Sequence, residues 1–191
     1  PMPEVIRTED VLTAESLAAI DELGPVDLLV GIPALNQARR AAPVLEAVAS
    51  GLEKHFSARR ATLLVADGGS QDGTPEAVRA WKDAAPPVPV VQCLQLIGPP
   101  SRGRAILAIL AAAGRLGAQA CGLIDADLAS LTPDGLGRLL QPVVRDEADF
   151  VSPAYTRTVS EGTLTTNLLA PMTRALYGKR IQQLWGGCAG L

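Results

Sequence analysis

Apolar and polar positions alternate along this chain in blocks that read strand, helix, strand, helix, with turn residues at the joins. Residues 27–32 (DLLVGI) form a compact apolar run of strand length, and Val44, Leu45, Val48, Leu52 and Phe56 follow at helical spacing. Residues 61–66 (ATLLVA) predict a second strand. Thr74 then caps a helix with Pro75 in its first turn, Glu76 beside it, and Val78 and Trp81 facing inward. Residues 88–96 supply a third strand, 103–116 a helix rich in Ala, Ile and Leu, and 120–124 a fourth strand. Thr132, Pro133 and Asp134 open a further short helix by the same capping logic. A fifth strand is predicted at 149–153 (DFVSP), and a helix over 164–176 interrupted at Pro171.

Regular alternation of this kind, with connections of helical length, predicts a mainly parallel sheet with helices on both faces, a Rossmann-like α/β fold. Residues 1–24 read as an N-terminal helical appendage with Leu12, Leu17, Ile20 and Leu23 as its apolar stripe, and 25–191 as one domain. The final residues, from Trp185 to Leu191, resemble the approach to another strand, so the domain is expected to be truncated at its C-terminal end.

Composition narrows the function classes. The 191 residues suffice to bury one large core. Aromatics make up only 3%, which leaves the core to Ala, Val, Leu and Ile, as suits helices on a buried parallel sheet. A net charge of −3 and no extended basic face argue against nucleic acid as a partner. The apolar runs are too short for a transmembrane segment, and no basic-then-apolar leader opens the chain. Cys93, Cys121 and Cys188 are widely spaced and read as buried thiols of a cytoplasmic protein. His55 is the only histidine, which removes most zinc sites and any histidine-based triad.

In a doubly wound sheet, ligands bind beyond the carboxyl ends of the strands. Three polar clusters fall there: Pro33-Ala34-Leu35-Asn36 after strand one, residues 67–74 (DGGSQDGT) after strand two, and Asp125-Ala126-Asp127 after strand four. In the second cluster, glycines permit a tight turn and close approach of a ligand, and Asp67 can accept a hydrogen bond from a base or sugar. The same residues also suit a plain strand–turn–helix joint. In the third, one carboxylate can hold a sugar hydroxyl and the other a divalent cation such as Mg²⁺ or Mn²⁺, shared with substrate phosphates. Two solvated acids at a loop start are the plain alternative. Arg102 and Arg104 open a helix where they can meet phosphate or simply face solvent.

Taken in order, Pro-Ala-Leu-Asn, Asp-Gly-Gly-Ser-x-Asp-Gly-Thr, Arg-Gly-x-Ala and Asp-Ala-Asp resemble glycosyltransferase family 2, whose members have the GT-A nucleotide-sugar-binding fold. Past Asp127, Tyr155-x-Arg157, Gly162-x-x-Thr165, Ala170-Pro171 and Gln182-x-Leu184-x-Gly186 are similar to glucosyl-3-phosphoglycerate and mannosyl-3-phosphoglycerate synthases. The resemblance implies that Pro33, Ala34, Leu35 and Asn36 line the nucleotide pocket and that Asp67 accepts from the base. It places Ser70 near the nucleotide, Arg102 where a lysine usually contacts it, Asp125 toward the ribose or sugar, and Asp127 on the metal. Gly162 and Thr165 would lie near the acceptor.

Four positions depart from those synthases. Gln37 stands in place of an acid that helps hold the nucleotide, Thr163 in place of an arginine for the acceptor phosphate, and Gly187 in place of an acid near the sugar. No histidine follows His55, although the relatives use a late one for the metal. The expected activity is metal-dependent transfer of a hexose from a nucleoside diphosphate sugar, UDP-linked or GDP-linked, to a small or lipid acceptor. A degenerate domain that binds nucleotide sugar without turnover, and a sugar nucleotidyltransferase, are the alternatives. Oligomeric state stays open, a homodimer included.

Overall fold

The computed structural model describes residues 8–84, 91–154, 163–178 and 187–191. Among them, one five-stranded sheet runs β3-β2-β1-β4-β5, built from β1 (Leu28–Ala34), β2 (Ala61–Asp67), β3 (Val91–Gln95), β4 (Ala120–Ile124) and β5 (Cys188–Gly190). The first four strands are parallel, and β5 pairs antiparallel with β4. The mixed α/β architecture read from the alternation is therefore the one observed.

Strand β1 is buried along its whole length, as a central parallel strand must be when helices cover both faces. Leu28, Val30 and Ile32 join a core with α3 (Ala41–Phe56), α4 (Thr74–Ala84) and α6 (Pro133–Val144). On the other face, Leu29, Leu64 and Leu123 pack with Ile20 and the alanine-rich α5 (Arg102–Arg115). Gly31 lets α5 approach: a Cβ there would sit 2.1 Å from Ile109 Cγ2.

The N-terminal residues seal an edge. Helices α1 (Thr8–Val11) and α2 (Ala14–Leu23) flank Leu12, which bridges to Leu96 beside β3. The Thr13 amide donates to the Gln95 carbonyl, and buried Ser16 Oγ accepts from the Gln95 amide at 2.8 Å. The apolar stripe seen in the sequence thus covers backbone that would otherwise be an open sheet edge.

Three sequence expectations change. The predicted fifth strand at 149–153 contributes only an isolated bridge between Val151 and Gly190, and Cys188–Gly190 forms the strand instead. Residues 149–153 include Pro153, which cannot donate to a ladder, whereas residues 188–190 are small enough to lie against β4 under Leu139 and Leu140. Asp72, not Thr74, receives the first N–H of α4: its Oδ1 accepts from the Thr74 amide at 3.1 Å. The helix predicted over 164–176 divides into a π-helical turn, Thr165–Leu169, and α7, Ala170–Tyr177. Pro171 lacks an amide hydrogen and its ring crowds the preceding turn, so the wider turn absorbs the mismatch.

Candidate functional site at the carboxyl edge of the sheet

The strand order reverses between β1 and β4: the chain first adds β2 and β3 on one side of β1, then crosses to add β4 on the other. The crevice at such a reversal is the place where an open α/β sheet binds ligands. The loops leaving β1, β2 and β4 there carry all three polar clusters.

The loop after β1 is pinned to the loop after β2. Asn36 donates its amide to Ser70 Oγ at 2.8 Å, and its own Oδ1 accepts from the Gln71 amide at 2.9 Å. The Gln37 amide donates to Thr74 Oγ1 at 2.9 Å and the Ala38 amide to Asp72 Oδ2 at 3.0 Å. Asn36 takes a positive φ of 54°, a conformation asparagine tolerates better than most residues. Asp72 is held below the usual carboxylate range, first by the Thr74 hydroxyl and then by the Ala38 amide. Asn36 and Ser70, both assigned to the nucleotide from sequence, thus hold each other's loops. Asp72 and Thr74, read as turn and cap residues, complete the same staple.

Asp67 ends β2 opposite Ala34 in the register and is 7% exposed. Its Oδ2 accepts from the amides of Gly69 and Ser70 at 3.2 and 3.0 Å. Its Oδ1 is buried and has no donor among the described residues. The two glycines that follow leave room for a third segment: a Cβ on Gly68 would lie 3.3 Å from the Ser101 carbonyl, and one on Gly69 3.1 Å from Pro100. Pro33 and Ala34 are buried at the end of β1, and Leu35 is half-buried beside them.

Asp125 and Asp127 leave β4 on either side of buried Ala126. Arg102, in the first turn of α5, grips Asp125: Nη2 lies 2.5 Å from Oδ1 and 2.6 Å from Oδ2, with Nε 3.2 Å from Oδ1. The contact expected with a nucleotide is made here with a carboxylate. Arg104 donates to the Ile97 carbonyl at 2.8 Å, folding back on its own loop over Gly98. That hydrogen bond ties Arg104 to the loop that precedes α5. The Asp125 amide donates to the Gly187 carbonyl at 2.6 Å. Gly187 has φ 84°, and a Cβ there would lie 3.6 Å from Asp125 Oδ2, so an acid at 187 would meet both backbone strain and a like charge. Asp127 is half-exposed, with Arg40 Nη1 3.8 Å from its Oδ2. Nothing in the sequence singled out Arg40 beyond its place at the end of the β1 loop.

Among the described residues, no group of three or more His, Cys, Asp or Glu side chains converges on a metal position. The half-exposed Asp127 carboxylate, a hard oxygen donor at the strand end, nevertheless fits Mg²⁺ or Mn²⁺, ions that keep waters and complete their shell with substrate phosphate. Of the acceptor residues expected from sequence, Gly162 lies outside the described residues, as do Tyr155, Arg157, Gln182, Leu184 and Gly186. Thr165 is half-buried in the first position of the π-helical turn, and Thr163 is exposed. No helix among the described residues is long and apolar enough to cross a membrane. Cys121 and Cys188 are buried, and burial pushes the Cys121 thiol up to about 12.

Comparison with known proteins agrees with this layout. The family description "Glycosyl transferase family 2" matches residues 29–189, from β1 through β5. The chain belongs to glycosyltransferase family 2. Glucosyl-3-phosphoglycerate synthase from Mycobacterium tuberculosis, in complex with Mn²⁺, uridine diphosphate and glucosyl-3-phosphoglycerate, superposes with a TM-score of 0.66 at 22% identity, over 90% of this chain and 60% of the synthase. The same synthase with Mn²⁺, UDP-glucose and phosphoglyceric acid gives 0.65 at 24% identity, over 89% and 59% of the two chains. A structure described only as a mycobacterial protein gives 0.63 at 22% identity, covering 93% and 56%. This chain therefore spans about 60% of the length of the synthase. No curated protein matches.

Proposed function

We propose that this family 2 domain binds a nucleoside diphosphate sugar, UDP-linked in preference to GDP-linked, and takes part in metal-dependent transfer of its hexose to a small or lipid acceptor. The observation that carries the reading is Asp67 Oδ1. A buried acceptor without a donor costs roughly 1–3 kcal/mol, and such a cost is sustained where a ligand supplies the missing hydrogen. The N3–H of uracil is a donor of the right kind, and so is the N1–H of guanine. Adenine N1 and cytosine N3 are acceptors, so those bases could offer Asp67 Oδ1 only their exocyclic amino groups.

The other residues then take these places. Pro33, Ala34 and Leu35 form the apolar wall beside the base, Asp125 faces the ribose or sugar, and Asp127 takes the Mg²⁺ or Mn²⁺ ion. That ion, when bound, neutralises charge growing on the leaving diphosphate. The complexes of the fold relative with Mn²⁺ and uridine diphosphate support this assignment of donor and metal. At the acceptor side, Thr163 offers a hydroxyl and no charge, so it cannot supply the bidentate pair an arginine gives a phosphate. An acceptor other than 3-phosphoglycerate is the consequence. A second reading, binding without turnover, is favoured by Gly187, whose backbone shape disfavours the acid expected beside the sugar.

Calorimetry with UDP, GDP and ADP, each with Mn²⁺ and with chelator, tests the donor site. UDP is expected to bind most tightly and to need the metal. Equal affinity for ADP would refute the role of Asp67. Release of UDP from UDP-glucose by the protein, in the presence of candidate acceptors, separates turnover from binding alone.

A further inference from the structure

The two carboxylates of the Asp125–Asp127 pair are each faced by an arginine, and the two pairings differ in kind. Arg102 and Asp125 meet in a short multi-point contact, with the Asp125 side chain 18% exposed. Arg40 and Asp127 meet at 3.8 Å through a single nitrogen, with side chains 69% and 47% exposed. A long, solvated pair of this sort is weak and easily exchanged.

The backbone of Arg40, by contrast, is fixed. It precedes α3 with no side-chain cap, and its amide and that of Ala41 both donate to the Gln37 carbonyl at 2.9 Å. The Gln37 amide is in turn tied to Thr74. An exposed guanidinium therefore extends from an anchored Cα toward Asp127. Whatever lies against Asp127 lies within its reach.

From this geometry we propose that Arg40 is an exchangeable counter-ion of the site: it faces Asp127 when no cation is bound, yields that carboxylate to the divalent ion, and then turns its guanidinium to the diphosphate of the donor. The proposal rests on the nucleotide-sugar reading given above. Its chemical motive is the small protein donor set. A divalent cation held by Asp127, with no cluster of three or more His, Cys, Asp or Glu side chains among the described residues, leaves much of the diphosphate charge uncompensated, and a guanidinium suits that charge bidentately. Arg40 is thus a positioning residue that opposes the bare metal and assists the metal-bound nucleotide.

The test measures two affinities that should move in opposite directions. Free Mn²⁺ is followed by electron paramagnetic resonance in the ligand-free protein, and UDP binding by calorimetry at saturating Mn²⁺, both at low salt. Arg40→Ala should tighten Mn²⁺ roughly two- to fivefold and weaken UDP by a similar factor, the range of an exposed ion pair. Arg40→Lys should return Mn²⁺ affinity to that of the parent while recovering only part of the UDP affinity, because an ammonium lacks the planar fork. Both differences should shrink as salt rises. Unchanged Mn²⁺ affinity in Arg40→Ala, or unchanged UDP affinity, overturns the proposal. Asp127→Ala is the separate control: if it leaves Mn²⁺ binding intact, the metal assignment itself fails, whereas loss of Mn²⁺ in Asp127→Ala with no effect of Arg40→Ala refutes only the role of Arg40.

Discussion

Arg102 Nη2 sits within hydrogen-bonding distance of both oxygens of Asp125, at 2.5 and 2.6 Å. The contact joins the first turn of α5 to the end of β4, so it fixes where the Asp125 carboxylate points. On the proposed assignment of Asp125 to the ribose or sugar, the fork of Arg102 orients that carboxylate. Arg102→Met keeps an unbranched apolar stem and removes the fork. We expect UDP affinity at saturating metal to fall roughly three- to tenfold, the scale of a partly exposed charge-assisted pair. Arg102→Lys should recover part of that loss. A parent-like Kd in Arg102→Met, measured by calorimetry, would show that the fork has no part in binding.

Asp67→Asn separates stability from recognition. The amides of Gly69 and Ser70 both donate to Oδ2, so the asparagine carbonyl must occupy that position. Its NH₂ then replaces the buried, partnerless Oδ1. An uncharged amide is easier to bury than a carboxylate, so thermal stability should be unchanged or higher. On the proposed role of Asp67, the base then meets a donor where it needs an acceptor, and UDP binding should weaken by roughly tenfold to a hundredfold. Retained UDP affinity in a folded Asp67→Asn protein would remove the base-recognition role.

The succession of the first four strands along the chain and the three polar clusters were legible in the sequence because each is local. A run such as Leu28 to Ile32 carries its own periodicity, and a glycine-rich turn after it declares itself. The pairing at the sheet edge was not legible, although the run from Trp185 to Leu191 reads as the approach to a strand. Cys188, Ala189 and Gly190 become a strand only because Gly122, Leu123 and Ile124 offer an open edge to pair with, a partnership some 65 residues away that no local pattern encodes. The arginines show the same limit. Arg102, Arg104 and Arg40 look alike in the sequence, yet one grips Asp125, one folds onto Ile97, and one faces Asp127. Their separation into roles depends on which loops the strand order brings together.

Gly31 tests the packing that sets this geometry. It lies in the middle of β1, between the residues that face α3 and the approach of Ile109 from α5. Gly31→Ala would place a methyl group 2.1 Å from Ile109 Cγ2, so either the helix or the strand must shift. Overpacking of this kind costs roughly 1–3 kcal/mol. Thermal unfolding should show a lowered Tm, and Ile109→Ala in the same protein should restore part of it by removing Cγ1, Cγ2 and Cδ1, the atoms that the new methyl group meets. A Tm equal to that of the parent in Gly31→Ala would mean that α5 is not held as closely as described.

Asp72 makes the site sensitive to acid. The Thr74 hydroxyl and the Ala38 amide stabilise its ionised form, which lowers its pKa in the folded protein relative to an unfolded carboxylate near roughly 3.9. The sign follows directly: the ionised staple contributes fully above the unfolded pKa, and its contribution is lost as pH falls through the lower folded value. The part of the molecule affected is the link between the loop after β1 and the start of α4, because Ala38 donates to one Asp72 oxygen and Thr74 to the other. Asp72→Asn removes the charge at every pH and leaves an amide that cannot accept at both positions. We expect this variant to bind UDP roughly two- to tenfold more weakly at neutral pH, the cost of loosening one charge-assisted hydrogen bond at a partly exposed site. Its thermal stability should also change less than that of the parent between pH 5 and the acid limb, since it has no carboxylate left to protonate there. Carboxyl NMR titration of the parent gives the deciding measurement: an Asp72 that titrates at or above the ordinary carboxylate value would mean that the two loops are not joined through it.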